Sequence, residues 1–352
     1  KEREGARDQL AQLAEDPNGA VAATLSAEAN STVDLLATAL AETANGHIIT
    51  ADTSGTGVLT YTQAGNGVQL RNTENDTASS HAVGVVDVKI IALADGTEIM
   101  LAASQGERGI SSYRMDGFDP VWAANAGPAE GIGIMIPTDM AVLRIGDQPF
   151  VLVASAPSNG GSGALTMMQI GAGGSLTVTD HMLDSLEMRF GGVQAVDALE
   201  VNGRWYVAAG GGDDGISLFA VMPGGILQHL ASIADSVDMS LDGVTALTLA
   251  FSDGDLQIFA ASGGDAGITQ LSYDLAGQGQ TKQTGTNGQT LNGTGANDIL
   301  VGQGGHDLLV GGGGADTLMD GGGRDTLSGG NGADVFVIAG DGQTNTIADF
   351  KV

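Results

Sequence analysis

The chain has 352 residues, no cysteine, and a formal net charge of −29 that arises from 42 acidic and 13 basic residues. The absence of cysteine excludes a disulfide framework, a thiolate metal site and a cysteine nucleophile. The acidic balance argues against binding to nucleic acid or to an anionic membrane surface, since both need a basic patch. No apolar run is long enough for membrane insertion, and the length is sufficient for two domains.

Residues 1–30 are predicted to be an N-terminal leader. The segment Lys1–Glu15 is charged and favours a short helix with Leu10 and Leu13 on one side, and an Asp-Pro-Asn-Gly sequence at 16–19 stops it. Two leucines bury little apolar surface, so a poorly anchored segment is an equal alternative. The sequence shows no N-terminal signal peptide.

Residues 31–276 contain five similar units, each with the order strand, small-residue turn, glycine and strand. An apolar strand precedes this part of each unit, at 33–40, 85–93, 140–145, 193–200 and 244–251. The aligned glycines are separated by 52, 54, 52 and 52 residues, and they are Gly57, Gly109, Gly163, Gly215 and Gly267. Three or four short strands per unit, separated by Gly and Asp turns, are typical of propeller blades.

Hairpin dipeptides occupy a matching position in two units, at Asp95-Gly96 and Asp253-Gly254. The order of strands and turns resembles that of YVTN/lactonase-like propeller repeats, without their full signature. The resemblance implies a β-propeller with about five visible four-stranded blades, and a sixth blade is an alternative. Closure of the ring would need a strand near Ser26–Thr32 or Gln280–Thr284. No helical segment alternates with the strands, which excludes a Rossmann fold.

Acidic residues precede the aligned glycines in four of the units. At equivalent turns their carboxylates would form a negative ring on one face of the propeller. The alternative is that each carboxylate stabilises its own turn through hydrogen bonds to the backbone. These residues are Asp52, Glu107, Asp213, Asp214 and Asp265.

The sequence favours a propeller without catalytic activity. A lactonase-like enzyme would use carboxylates, asparagine and histidine around a central metal, but the histidines are dispersed with no pair at ligand spacing. They are His47, His81, His181, His229 and His306. No nucleophile–base motif is evident either.

Residues 277–290 are polar and rich in Gly, Thr and Gln, and they are predicted to be a linker. From 291 onward, a nine-residue unit repeats five times without a break. Each unit has a glycine-rich turn that ends in aspartate, followed by a short strand with one large apolar residue. The aspartates are Asp298, Asp307, Asp316, Asp325 and Asp334, and the apolar residues are Leu300, Leu309, Leu318, Leu327 and Phe336.

Regular spacing of one aspartate per turn points to calcium, a hard cation that takes six to eight oxygen ligands. In a two-sided roll successive turns alternate sides, so Asp298, Asp316 and Asp334 share one edge, and Asp307 and Asp325 share the other. Three ion sites are predicted between neighbouring turns of the same side. Further candidate ligands in the turns are Gly302, Gly304, Gly311, Gly313, Asp320, Gly322, Gly329 and Asn331.

The nonapeptide pattern resembles the calcium-binding repeat of RTX proteins, the hemolysin-type calcium-binding region. The resemblance implies a parallel β-roll at 291–352 that binds about three or more Ca²⁺ ions. It also implies a bacterial protein exported by type I secretion and located outside the cell or at the cell surface. Residues 338–352 resemble the start of the segment that caps such a roll, with Asn345 where the family generally has Asp. The expected continuation is absent, so a fragment or a matured form is predicted.

Together these patterns predict an all-β, secreted calcium-binding protein. Its propeller would act as a binding, adhesion or scaffold module for an extracellular protein or polysaccharide, and its roll would fold on calcium. The alternative is a secreted lactonase-like hydrolase in which the roll serves export and folding. Neither hypothesis involves nucleic acid or membrane insertion.

Overall fold

The structure, a computed structural model, describes residues 39–51, 55, 57–64, 67–157, 162–265 and 267–350. The leader helix, the candidate closing strand at Ser26–Thr32 and the candidate Asp52 lie outside these residues. Strands and turns dominate the described part, and two short 3-10 segments occur at Pro128–Glu130 and Ala172–Gly174. The predicted all-β class is confirmed.

Five antiparallel sheets follow one another along the chain, and each is a meander in which consecutive strands pair. The first contains β1 (Ala39–Glu42), β2 (His47–Ala51), β3 (Gly57–Ala64) and β4 (Gly67–Asn75). The second contains β5 (Val85–Ala92), β6 (Glu98–Ser104), β7 (Gly109–Asp116) and β8 (Asp119–Ala126). The third contains β9 (Ile136–Ile145), β10 (Gln148–Ala156), β11 (Ala164–Ile170) and β12 (Leu176–Leu183). The fourth contains β13 (Val193–Val201), β14 (Arg204–Gly211), β15 (Gly215–Met222) and β16 (Ile226–Ala234), and the fifth contains β17 (Val244–Ser252), β18 (Asp255–Ser262) and β19 (Ile268–Asp274).

The first strands of consecutive sheets lie side by side: β1 against β5, β5 against β9, β9 against β13, and β13 against β17. The hydrophobic core lies between the sheets. Leu152 of the third sheet, for example, belongs to the same buried cluster as Val207 and Phe219 of the fourth. Sheets that share an inner row of first strands and pack face to face are blades of a propeller.

Each aligned glycine begins or directly precedes the third strand of its sheet. The reason for glycine is close backbone approach. A Cβ on Gly57 would lie 2.1 Å from the carbonyl oxygen of Glu74, and a Cβ on Gly215 would lie 2.3 Å from that of Ile233. In the first and fourth sheets the aligned glycine therefore marks the point where the third strand starts against the end of the fourth.

The C-terminal part is a roll of two parallel sheets. One sheet contains β20 (Gln278–Gln283), β22 (Asn297–Val301), β24 (Thr317–Met319) and β26 (Val335–Val337); the other contains β21 (Thr290–Asn292), β23 (Leu308–Gly313), β25 (Thr326–Asn331) and β27 (Thr346–Ile347). Leu300 is in register with Leu318, and Leu309 with Leu327. These four leucines are fully buried between the sheets, so the predicted β-roll and its two-sided arrangement are confirmed.

Residues 277–290, expected to be a linker, carry the first two strands of the roll. β20 pairs in parallel with β22, and β21 pairs with β23. Lys282 stands in register with Leu300, so this first coil lacks the apolar residue that identifies the later units. Backbone pairing needs no such residue.

Because β20 pairs within the roll, the prediction of a four-stranded last blade is wrong. The fifth sheet has three strands rather than four. The candidate closing strand near Gln280–Thr284 belongs to the roll and does not pair with a blade in the described residues.

Candidate calcium-binding site

The roll aspartates form a hydrogen-bonded ladder along each edge. The backbone N–H of Asp298 donates to Oδ1 of Asp316 (2.7 Å), and that of Asp316 donates to Oδ1 of Asp334 (3.0 Å). On the other edge, the N–H of Asp307 donates to Oδ1 of Asp325 (2.7 Å). The structure therefore brings together the same two groups of aspartates that the nine-residue period predicts.

The second carboxylate oxygen differs between the aspartates. Oδ2 of Asp298 accepts hydrogen bonds from the Thr294 N–H (2.5 Å) and hydroxyl (2.9 Å), and Oδ2 of Asp307 accepts one from the Thr284 hydroxyl (3.2 Å). Among the described residues, the Oδ2 atoms of Asp316 and Asp325 are buried without a partner. A buried carboxylate oxygen without a donor is costly unless a cation neutralises it.

Burial and mutual repulsion act on these two carboxylates. Asp316 is 0% exposed and Asp325 is 2% exposed. Burial raises the pKa of Asp316, and the charges of Asp298 and Asp334 raise it further. Burial likewise raises the pKa of Asp325, with a contribution from the neighbouring Asp307 and Asp320. Each edge of the roll therefore carries buried carboxylates that repel one another, and a divalent cation would neutralise this negative charge.

The candidate glycines divide into two groups. A Cβ on Gly311 would lie 2.3 Å from Oδ2 of Asp316, and one on Gly329 would lie 2.2 Å from Oδ2 of Asp334. At Gly302 the nearest atoms are the Asp320 carbonyl oxygen at 2.2 Å and Asp307 Oδ2 at 2.9 Å. These glycines keep the space beside the carboxylates open.

By contrast, a Cβ at Gly304, Gly313 or Gly322 would have ordinary contact distances of 3.4 to 3.7 Å. The backbone conformations that favour glycine occur instead at adjacent positions, such as Gly323 (φ +123°) and Gly332 (φ +136°). Asn331 is exposed at the end of β25. The contribution of carbonyl oxygens from these turns to an ion site stays a prediction.

Residues after the last complete unit continue the ladder. The Asn345 side-chain oxygen accepts the N–H of Asp325 (2.9 Å), in the position of the next aspartate. Asp320 is buried, accepts the N–H of Ala339 (2.7 Å) and accepts a hydrogen bond from the Asn345 amide. Asp349 accepts the N–H groups of Gly329 and Gly330. Asn345 follows Asp325 by 20 residues, whereas the other rungs of the ladder join residues 18 apart, so the regular spacing does not identify its hydrogen bond.

No group of three or more His, Asp or Glu side chains in the described ranges is arranged to hold a metal. A calcium site in the roll would therefore combine one or two aspartates with backbone carbonyl oxygens, which is chemistry that Ca²⁺ accepts. The oxygen-rich turns and the unpartnered Oδ2 atoms of Asp316 and Asp325 fit such an ion.

In the propeller, the acidic residues near the aligned glycines bond to loop backbones. The Glu107 carboxylate accepts the N–H groups of Ala82 (2.8 Å) and Val83 (3.3 Å). Asp214 accepts the N–H of Gly243 (3.1 Å), and Asp213 lies 3.7 Å from Arg189. Asp265 and Asp214 both contribute to raising the pKa of Asp242, with Asp214 the larger cause. The carboxylates thus hold the turns and also form a negative patch between the fourth and fifth sheets.

A second row of aspartates joins adjacent blades at the inner strands. Oδ2 of Asp87 accepts the N–H of Met140 (2.9 Å), and Oδ2 of Asp139 accepts that of Val196 (2.9 Å). Oδ2 of Asp197 accepts the N–H of Leu249 (2.8 Å). These residues were not predicted from the sequence; the available signal was a single aspartate in each of the largely apolar strands β5, β9 and β13.

Two of these aspartates line a central cavity of about 400 Å³ formed by the first strands of the second to fifth sheets. Lys89 also lines it and lies 3.1 Å from Asp87 and 4.0 Å from Asp139. Burial raises the pKa of Asp139 to about 6, and the negative charge of Asp87 contributes. The histidines bond elsewhere: Nδ1 of His181 contacts Thr166 (2.9 Å) and Nε2 of His229 contacts Ser232 (2.7 Å).

The geometry defines a parallel β-roll with an aspartate ladder along each edge, joined to a propeller, and comparison with known families agrees for the roll. Residues 284–318 and 310–347 match the RTX calcium-binding nonapeptide repeat. This part of the chain therefore carries RTX calcium-binding repeats. No curated protein matches the chain.

Several solved structures are distantly similar to this chain. A protein from Lactobacillus plantarum has 12% sequence identity and a TM-score of 0.47, with 72% of each chain covered. The periplasmic gluconolactonase of Pseudomonas aeruginosa has 17% identity and a TM-score of 0.45, with 68% of this chain and 70% of that chain covered. An Aleuria aurantia lectin mutant has 14% identity and a TM-score of 0.42, with 67% and 74% covered. The described part of the chain contains no helix of sufficient length and apolarity to span a membrane.

Proposed function

We propose that this chain is an extracellular protein whose roll folds when it binds calcium and whose propeller serves as a binding, adhesion or scaffold module. The observation that supports this proposal most directly is that the Oδ2 atoms of Asp316 and Asp325, within the aspartate ladders, are buried without a hydrogen-bond partner in the described residues. A cation that neutralises these carboxylates supplies free energy that becomes folding free energy of the roll. Sites of extracellular calcium modules bind at roughly 10⁻⁴–10⁻³ M, which suits a protein that meets calcium after export.

About three ions per chain are expected. Two lie on the edge of Asp298, Asp316 and Asp334, and one lies on the edge of Asp307 and Asp325. The site between Asp316 and Asp334 has the strongest support, because each of the other two includes Asp298 or Asp307, whose carboxylate a threonine donor already satisfies in part. Isothermal titration of the calcium-free chain measures the number of ions, and binding of a single ion would contradict this assignment.

The test of calcium-dependent folding uses the full chain. Far-ultraviolet circular dichroism in EDTA should show the β signal of the propeller alone, and calcium should add the signal of residues 278–350. Magnesium at the same concentration serves as the control, because it demands near-octahedral geometry and retains water. An identical spectrum in EDTA and in calcium would contradict the proposal.

The propeller is proposed to recognise an extracellular protein or polysaccharide. Its inner aspartates support a structural role for that region, since their oxygens accept backbone N–H groups of adjacent blades. Binding of the calcium-loaded chain to immobilised polysaccharides and to extracellular matrix proteins tests the assignment, with the EDTA-treated chain as a comparison. Failure to bind any of them would weigh against an adhesion role.

The lactonase-like alternative is tested at the central cavity, where the raised pKa of Asp139 is the one feature that resembles a general base. Purified chain with calcium is assayed against lactones. Turnover that disappears in Asp139→Asn while the calcium-induced change in circular dichroism persists would favour the hydrolase.

A further inference from the structure

Arg204 is a buried cation at the junction between the two domains. It begins β14, directly after the hairpin turn that follows β13 in the fourth sheet. The residue is only 4% exposed. Arginine is almost never buried to this extent without partners, because removing its charge from water is costly.

The Arg204 side chain donates hydrogen bonds to three oxygens of the roll, and within the propeller it also interacts with the hydroxyl of Tyr206. Its Nε donates to the hydroxyl of Thr281 (3.3 Å), and one terminal nitrogen donates to the side-chain oxygen of Gln278. The other terminal nitrogen donates to the carbonyl oxygen of Asn297 (2.9 Å). Within the described ranges no carboxylate lies at ion-pair distance from this guanidinium. Its compensation therefore comes from neutral oxygens, three of them on β20 and β22 and one on Tyr206 of β14.

The same oxygens are positioned by the first rung of the aspartate ladder. Asn297 precedes Asp298, whose Oδ1 accepts the N–H of Gln280 (2.5 Å), a residue of β20. The N–H of Asp298 in turn donates to Oδ1 of Asp316. Hydrogen bonds and short stretches of the β20 and β22 backbone thus connect Arg204 to a candidate calcium ligand.

The covalent connection between the domains is short. Only residues 275–277 separate β19 of the fifth sheet from β20 of the roll. Leu275 is buried in the core between the fourth and fifth sheets, and its carbonyl oxygen accepts the N–H of Gln278 (2.9 Å). The first coil of the roll therefore cannot move far from the propeller surface while it is folded.

We propose that Arg204 couples calcium binding in the roll to the stability of the propeller. The inference rests on the proposed calcium-dependent folding of the roll. When β20 and β22 are paired, each nitrogen of the guanidinium donates to an oxygen of the roll, and the fourth and fifth sheets gain a docked neighbour. When the roll loses its ions, β20 and β22 separate and Arg204 returns to solvent. Because coupling between two equilibria is reciprocal, the docked propeller also raises the calcium affinity of the roll.

The experiment compares Arg204→Gln with Arg114→Gln in the full chain. Arg114 is an exposed arginine of β7 in the second sheet, so its replacement changes the net charge equally without touching the junction. The parent and every variant carry Trp122→Phe, which leaves Trp205 as the only tryptophan of the two in the sequence. Two quantities are measured: the calcium midpoint for gain of β signal, and the melting temperature of the propeller from Trp205 fluorescence, with and without calcium.

In the parent and in Arg114→Gln, calcium should raise the melting temperature that Trp205 reports. Arg204→Gln should abolish most of this increase and shift the calcium midpoint about tenfold higher, within the usual range of coupling free energies. A second variant, Gln278→Ala, removes an acceptor on the roll and leaves every propeller residue unchanged. It should shift both quantities in the same direction, so a folding defect of the fourth sheet cannot account for the result.

Two outcomes overturn the proposal, and they are distinguishable. If calcium adds β signal but Arg204→Gln and Gln278→Ala behave as Arg114→Gln does, the coupling through Arg204 is wrong while calcium-dependent folding stands. If calcium adds no β signal to the parent chain, calcium-dependent folding is wrong and the coupling falls with it.

Discussion

Thr294 and Thr284 donate to the second carboxylate oxygens of Asp298 and Asp307, whereas Asp316 and Asp325 have no such donor in the described residues. The five aspartates occupy equivalent places in the nine-residue unit, yet their surroundings differ. A carboxylate that already accepts a hydrogen bond from a hydroxyl group loses that bond when it coordinates a cation. A carboxylate without a donor gains a partner outright, so the energetic benefit of calcium is greatest at Asp316 and Asp325.

Replacement of Asp316 or Asp325 by Asn should therefore weaken calcium binding more than replacement of Asp307. The expected shift of the calcium midpoint is about tenfold or more for the first two variants and severalfold for Asp307→Asn, since charged partners contribute roughly twice as much as neutral ones. Among the five repeat aspartates only Asp316 has an aspartate on both sides along its edge, but Asn345 continues the ladder beyond Asp325 and gives Asp325 a neighbour on both sides as well. Circular dichroism titrations measure the shift, with exposed Asp116→Asn as the control. Equal midpoints for the Asp307, Asp316 and Asp325 variants would refute this ranking.

Asp139 should make propeller stability depend on pH. Its pKa is about 6 in the folded chain, against an ordinary value of 3.8, so between these values the folded state binds more protons than the unfolded state. Stability is then higher at low pH and falls as the pH rises through about 6, by about 1 kcal/mol between pH 5 and pH 7. Urea unfolding monitored by Trp205 fluorescence in saturating calcium measures this change.

The Asp139→Asn variant is the comparison for that measurement, because amide and carboxylate have the same shape. The groups facing Asp139 are Asp87 and Lys89 of the neighbouring first strand, together with the backbone N–H groups of Met140 and Val196. The variant should lose most of the fall in stability between pH 5 and pH 7. An undiminished fall in the variant would assign the effect to another group.

At the scale of elements, the repeats in the sequence predicted those features of the fold that recur at a regular spacing along the backbone. The nine-residue unit determined the register of the roll, since Leu300 and Leu318 stack only if same-side strands are two units apart. The aligned glycines identified the start of each third strand. Contacts between distant residues left no comparable pattern, which is why the bonds from Asp139 to Val196 and from Arg204 to Thr281 were not predicted. The first coil was missed because Lys282 replaces the inward leucine.

The start of the third strand should be intolerant of any side chain. Gly215→Ala would place a Cβ 2.3 Å from the carbonyl oxygen of Ile233, whereas Gly212→Ala would place one 3.8 Å from that of Gly191. The first variant must move backbone to fit and should lose about 1–3 kcal/mol of unfolding free energy, as overpacked sites do. The second should change stability by less than about 0.5 kcal/mol. Urea denaturation of the two variants checks the difference, and similar stabilities would show that the fourth sheet adjusts freely.

At the scale of the whole molecule, two domains of opposite character share one chain. The propeller has apolar clusters between consecutive sheets, so burial of apolar surface stabilises it without ions. The roll has a core of four leucines flanked by Leu291 and Phe336, and ladders of buried carboxylates border that core. We therefore expect its folded state to depend on neutralisation of charge far more than on apolar burial, and the net charge of −29 adds repulsion over longer distances.

Calcium should accordingly compact the chain, and simple salt should not replace it. In EDTA the unneutralised ladder carboxylates repel one another, the roll expands, and the Stokes radius is larger than with calcium. Sodium chloride at matched ionic strength screens exposed charges within about 10 Å, but it supplies no partner for the buried Oδ2 atoms of Asp316 and Asp325. Size-exclusion chromatography and small-angle scattering should therefore show contraction with calcium and little change with sodium chloride. Equal contraction in both salts would mean that general repulsion governs the size of the molecule and that the ladders hold no specific ion.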